Sequence, residues 1–171
     1  MTKLLKYFFS FFLLFCVSLN AQQNHFQAHP LLEKKIGQHF PIENFKNGEG
    51  ENFSAQELTG KVTLINFWST NCAPCIEELP YLNQIKKNLG DKVNFIAITH
   101  DPKEKVDRFL LKHEFNFLHI TDSMKELQSY FSLIRNPLTF IINKNGTVSE
   151  ITGTIDKEKS DLVLTILSEK L

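Results

Sequence analysis

Ile65-Asn66-Phe67-Trp68-Ser69-Thr70-Asn71-Cys72-Ala73-Pro74-Cys75 decides how this chain folds. It closes a near-continuous apolar run, Val62 to Trp68, whose β-branched and aromatic residues predict a strand buried on both faces and central in its sheet. A polar turn follows, and then two cysteines separated by two residues. Pro74 has the fixed φ that suits the first helical position, and Cys75, Leu79, Leu82, Ile85 and Leu89 recur at helical spacing until Gly90 stops the pattern. The stretch predicts a strand, a CxxC turn and a helix.

Outward from it, strand and helix periods alternate. Val93 to Thr99 predicts a second buried strand, and Asp101-Pro102-Lys103-Glu104 supplies an N-cap, a first-turn proline and an acid for a helix reaching about His113. Phe117 to Ile120 is a shorter strand candidate. Ser123-Met124-Lys125-Glu126 has capping-box spacing for a helix ending near Phe131, and Leu138 to Ile142 returns to the buried-strand pattern. Asn145-Gly146 marks a hairpin into Thr147 to Ile151, and a last helix starts at about Asp156 with Leu162, Val163, Ile166, Leu167 and Leu171 on its apolar side. Upstream, Phe40 to Phe45 alternates apolar and polar residues ahead of the turn residues Lys46 to Gly50, which predicts a short hairpin or edge strand. The fold class is α/β, a mixed central sheet flanked by helices with an N-terminal β-hairpin extension.

Lys3 and Lys6 precede an apolar run from Tyr7 to Leu19 that ends at Leu19-Asn20-Ala21, the pattern of an export signal cleaved after Ala21. A spanning helix needs about 20 apolar residues, so an uncleaved membrane anchor is the alternative. Cys16 follows Phe15 rather than the small residue a lipoprotein signal needs, and is read as signal filler. Residues 22–35 are a polar leader, and 36–171 one globular domain, which 42% hydrophobic content supports. Without Lys3 and Lys6 the chain carries 17 basic against 19 acidic residues, a balance that gives no electrostatic footprint for nucleic acid.

In the mature segment only Cys72 and Cys75 remain, in a compartment where disulfides persist. A bridge across two residues restricts the unfolded chain little, so it is read as redox chemistry and not as a staple. Structural zinc would need four ligands, and no second CxxC or close histidine pair supplies them. A free cysteine ionises at about pH 8.5, so Cys72 must be acidified to attack; the unpaired N–H groups and dipole at a helix N-terminus do this. Cys75, a turn further in, is the resolving thiol.

Ile65 to Cys75, with Gly60-Lys61 before it, Glu78 and Pro80 after it, and Pro137-Leu138-Thr139-Phe140-Ile141-Ile142 and Asn145-Gly146 late in the chain, resembles the thioredoxin superfamily in its TlpA/ResA-like secreted branch. The resemblance covers roughly Ile36 to the C-terminus. It implies a thioredoxin fold and a thiol–disulfide oxidoreductase that needs no cofactor or metal. It also implies a protein thiol or disulfide as substrate outside the cytoplasm, apocytochrome c before haem attachment among them, and a membrane thiol carrier as electron donor. Pro137 matches the family's cis-proline, which lies against the active disulfide and leaves the preceding backbone free to pair with substrate. Trp68 packs beside the site. Cytoplasmic thioredoxins carry a buried Asp where this chain has Asn66, so the usual proton acceptor is missing.

Glu78 is its expected replacement: at about 100° per residue it projects into the helix face that holds Cys75 and Leu82, whereas Glu77 points nearly opposite. Desolvation there should raise its pKa toward neutrality. His25, His29, His39, His100, His113 and His119 are scattered, and only His100, after the second strand, is placed to approach the active-site end. Two other functions compete. Soft thiolates select Cu(I), which allows a copper metallochaperone, although such carriers resemble CxxxC more than CxxC. A peroxidase on a related fold would need a helping arginine, for which Arg135 is the nearby candidate.

Overall fold

The computed structural model describes residues 30–171, so the expected export signal, 1–21, and residues 22–29 of the expected leader lie outside the described residues. The strands are β1 (Val62–Trp68), β2 (Val93–Thr99), β3 (Leu118–Ile120), β4 (Leu138–Ile142) and β5 (Val148–Thr152). The helices are α1 (Pro30–Glu33), α2 (Ala73–Glu77), α3 (Leu79–Leu89), α4 (Lys103–Leu110), α5 (Met124–Tyr130) and α6 (Lys157–Glu169). Every residue of β1 is buried, as its unbroken apolar run predicts, and the strand lies at the centre of a sheet ordered β3-β2-β1-β4-β5. β1, β2 and β3 run parallel; β4 is antiparallel to β1, and β5 to β4.

Alternation along β1 sorts its side chains between two cores. Val62, Leu64 and Trp68 face the side packed by Cys75, Leu79 and Leu82, with Val163 and Leu167 of α6. Ile65 and Phe67 face a second, phenylalanine-rich core built with Phe40, Phe45, Phe131 and Phe140. By the same alternation Asn66 points to the first side, toward the CxxC helix.

The chain departs from its sequence-based prediction in places with physical reasons. The N-terminal hairpin reduces to a single bridge, Lys46 to Asn52, and residues Ile42–Asn44 form a 3-10 turn instead of a strand. A strand would send Phe45 to the face opposite Phe40 and Ile42. The turn brings all three inward, and the Phe40 and Phe45 rings stack at 5.8 Å. The expected helix from Pro74 to Leu89 is two helices joined at Glu78, because Pro80 has no N–H to continue the ladder. The β4–β5 hairpin that Asn145-Gly146 marks closes through Gly146 N–H to Asn143 O (2.9 Å) and Asn143 N–H to Thr147 O (2.8 Å), with Gly146 at φ 81°. Asp156 caps α6 as expected, accepting the N–H of Lys159 at 2.9 Å. Ser123 does not close its capping box; its hydroxyl donates to the carbonyl of Thr121.

Candidate active site

Cys72 occupies the N-cap of α2, at the end of the short loop that leaves β1, and Cys75 lies within the first turn. Extended backbone at Cys72 turns its Sγ back over the helix, where it accepts the Cys75 N–H at 3.3 Å. The two are joined as a disulfide with Cα atoms 5.2 Å apart. Their surroundings differ. Cys75 is 0% exposed in the core, whereas Cys72 is half-buried at its edge.

Behind the pair sits Glu78, at the corner between α2 and α3 and fully buried. Its Oε1 accepts the side-chain amide of Asn66 at 2.8 Å, and its Oε2 the backbone N–H of Ile155 at 2.8 Å. Asn66 Nδ2 also donates to Thr139 Oγ1 at 3.1 Å, across the register that sets Asn66 opposite Thr139. Burial pushes the Glu78 carboxyl up from 4.5 to about 7, against the opposing pull of the Ile155 N–H, the Asn66 amide and the charge of Lys159. Glu77 is exposed, as the helical phase predicts.

The sheet brings the other expected residues to the same end. Phe67 pairs with Leu138, so the next step of that ladder sets Trp68 beside Pro137, which follows a cis Asn136-Pro137 bond. Pro137 is buried and lines a cleft of 260 Å³ with Leu31, Leu32, Leu133, Leu138 and Arg135. Arg135 is exposed in that cleft. Trp68 is buried with its ring 5.1 Å from Phe109, 5.2 Å from Phe115 and 5.6 Å from His119, a packing role. His100 stands at the end of β2, half-buried. Among the described residues no three His, Cys, Asp or Glu side chains gather to hold a metal ion.

Sequence reasoning missed two members of this end of the sheet. Asp101, expected to cap α4, turns its carboxylate to the N–H of Thr70 instead. Ile155 supplies Glu78 with a backbone donor across 77 residues of sequence, which no local pattern announces.

A dithiol at this point of this sheet exchanges disulfides with other thiols, and the fold that carries it is that of thioredoxin. The chain belongs to the AhpC/TSA family, whose sequence model matches residues 36–151. It is 30% identical over 146 residues to the thiol-disulfide oxidoreductase ResA of Bacillus cereus, covering 84% of this chain and 83% of that one. Thioredoxin-like protein YneN of Bacillus subtilis is 29% identical over 145 residues, covering 81% and 85%. In structure it is similar to the thioredoxin domain of a thiol-disulfide oxidoreductase from Bacteroides vulgatus, with a TM-score of 0.61, 19% identity, and 72% of this chain and 91% of that one covered. A secreted Mycobacterium tuberculosis disulfide oxidoreductase, homologous to E. coli DsbE, superposes with a TM-score of 0.58 at 20% identity over 73% and 93%. The last two likenesses are of fold. The protein is a thiol–disulfide oxidoreductase of the ResA-like kind.

Proposed function

We propose that Cys72 is the attacking thiol, Cys75 the resolving thiol and Glu78 the proton acceptor between them. The observation that carries this is the difference in burial within one helical turn: Cys72 is half-buried at the N-cap, and Cys75 is 0% exposed. In the reducing direction the Cys72 thiolate attacks a substrate disulfide and one substrate sulfur leaves as a thiolate. Cys75 then gives its proton to Glu78 and attacks Cys72 Sγ, which breaks the mixed disulfide. The substrate leaves with both sulfurs reduced, and the Cys72–Cys75 pair is left oxidised by two electrons. A carboxyl near neutrality is matched to this transfer at physiological pH. Pro137, one residue before β4 and level with Trp68, leaves the preceding backbone to pair with substrate in this reading.

The reaction runs outside the cytoplasm, in the periplasm or held to the membrane. Lys3, Lys6 and the apolar run to Leu19 support export. The resemblance of Ile65 to Cys75 and Pro137 to Ile142 to the TlpA/ResA-like branch extends the proposal to an apocytochrome c as substrate and a membrane thiol carrier as electron donor.

Limited iodoacetamide labelling of the reduced protein tests the roles. Cys72 is expected to label first, Cys72→Ala to abolish exchange, and Cys75→Ala to accumulate a mixed disulfide from which the partner is identified by mass. Faster labelling of Cys75 reverses the assignment.

A further inference from the structure

β1 and β2 run parallel and end level, with Trp68 opposite Thr99. The loops that leave them, Ser69-Thr70-Asn71 and His100-Asp101-Pro102, therefore emerge side by side at the cysteine end of the sheet. Asp101 joins them. It is 3% exposed; its Oδ2 accepts the Thr70 N–H at 2.7 Å, and its Oδ1 takes the Lys105 ammonium at 2.7 Å. Its backbone is fixed at both ends, the N–H donating to Thr99 Oγ1 at 3.1 Å and the carbonyl accepting the Asp122 N–H at 3.0 Å. Asp122, at φ 57°, takes over the capping of α4 by accepting the Lys103 N–H at 3.0 Å. The Asp101 carboxylate is thus relieved of capping the helix backbone, and, held by Lys105 of that helix, it faces the cysteine loop. Burial works against its charge, but the bonds from Lys105 and Thr70 outweigh that and hold its carboxyl below the usual range.

Thr70 stands two residues before Cys72, at most about 7 Å of chain away. The Cys72 N–H closes a turn on the Ser69 carbonyl at 3.1 Å, so a hold on Thr70 reaches the N-cap through one turn. We propose that Asp101 is a positioning residue for Cys72: its carboxylate, braced by Lys105, holds the Thr70 N–H and with it the turn that sets Cys72 against Cys75. The proposal rests on Cys72 and Cys75 being the exchanging pair. A fixed approach of the two sulfurs raises their effective concentration, and that quantity sets how readily the pair is oxidised.

The test is the equilibrium of the full chain with defined glutathione buffers, in wild type, Asp101→Ala, Asp101→Asn and Lys105→Met, with circular dichroism of each. Asp101→Ala removes the acceptor and is expected to shift the equilibrium toward the dithiol about tenfold, the scale of one charge-assisted hydrogen bond. Asp101→Asn keeps an acceptor for Thr70 but loses the charge and the Lys105 pair, and is expected to give a shift of about threefold, well short of that in Asp101→Ala. Lys105→Met, at a partly exposed position, loosens the brace and is expected to give an intermediate shift of about threefold the same way. Lowered stability in Asp101→Ala with an unchanged equilibrium overturns the proposal, as does an Asp101→Asn shift equal to that of Asp101→Ala. Should Asp101→Ala not fold, an unchanged constant in Lys105→Met overturns it. A wild-type pair that does not exchange with glutathione refutes the oxidoreductase mechanism itself; exchange in wild type with no shift in these variants refutes only the role of Asp101.

Discussion

Two buried carboxyls flank the strand that delivers the cysteines, Glu78 beneath it at Asn66 and Asp101 at its end beside Thr70. Both are almost completely shielded from solvent, yet their carboxyls are shifted in opposite directions: Glu78 is pushed up to about 7, and Asp101 falls below its ordinary value. Each accepts one backbone N–H. The difference lies in the second partner, which is a neutral amide for Glu78 and an ammonium at 2.7 Å for Asp101. Glu78 lies deeper and meets only neutral donors directly, so the cost of burial prevails; Asp101 lies nearer the surface, and its bonds from Lys105 and Thr70 outweigh that cost. One acid is kept able to gain and lose a proton near pH 7, and the other is kept as a fixed charge.

The largest expected effect separates Glu78 from its exposed neighbour. Glu78→Gln should slow the resolution of the mixed disulfide by about a hundredfold at neutral pH, the usual size of a general-base contribution, while Glu77→Gln leaves it unchanged. Stopped-flow measurement of substrate release, after mixing the reduced enzyme with a disulfide peptide, reads this step. Equal release rates in the two variants would remove Glu78 from the chemistry and leave the two buried acids different only in charge.

Next in size is the response of stability to pH, where the two acids pull in opposite directions. Between 4.5 and about 7 folded Glu78 holds a proton that the unfolded chain has released, so its contribution is complete below pH 4.5 and is lost as pH rises through 7. That loss is about 3 kcal/mol. Asp101 contributes above 3.8, its unfolded value, and loses that contribution as pH falls through its lower folded value. Denaturant unfolding of the oxidised protein should therefore show stability declining from pH 5 to pH 8 in wild type and not in Glu78→Gln. A decline that survives Glu78→Gln would place its source elsewhere.

The contrast between these acids also marks what sequence made legible. Strand β1, the CxxC turn and the burial of Glu78 were all readable, because each is a periodicity set by residues within one or two turns of one another. Asn66 in place of an acid was readable through the family resemblance, and it directed attention to Glu78. The partners of the two acids were not. Asp101 carries the sequence signature of an N-cap, and only the level ends of two parallel strands turn it toward Thr70. Ile155 reaches Glu78 because the chain runs from β5 into α6 beneath the CxxC helix. The leading hairpin departs from its predicted strand for a related reason: alternation over Phe40 to Phe45 predicts a strand, but the sheet face behind β1 demands Phe45 as well as Phe40 and Ile42.

The smallest effect asks whether the protonation of Glu78 is set by its direct contacts alone. Thr139 touches Asn66 but not the carboxyl, through its hydroxyl at 3.1 Å from the same amide nitrogen that donates to Glu78 at 2.8 Å. Thr139→Val keeps the β-branched shape suited to β4 and removes the hydroxyl, leaving one N–H of a fully buried amide without an acceptor. The loss should be about 1 kcal/mol of stability, equal at pH 5 and pH 8, because the missing bond carries no titrating group. NMR of the Glu78 carboxyl carbon should find its titration midpoint in place, since burial and the bonds from Ile155 and Asn66 all remain. Asn66→Ala, by contrast, removes a bond that favours the charged form and should raise the midpoint further. If Thr139→Val moved the midpoint as far as Asn66→Ala does, Glu78 would be governed by the whole buried chain of hydrogen bonds, and the direct-contact rule that separates it from Asp101 would fail on its own ground.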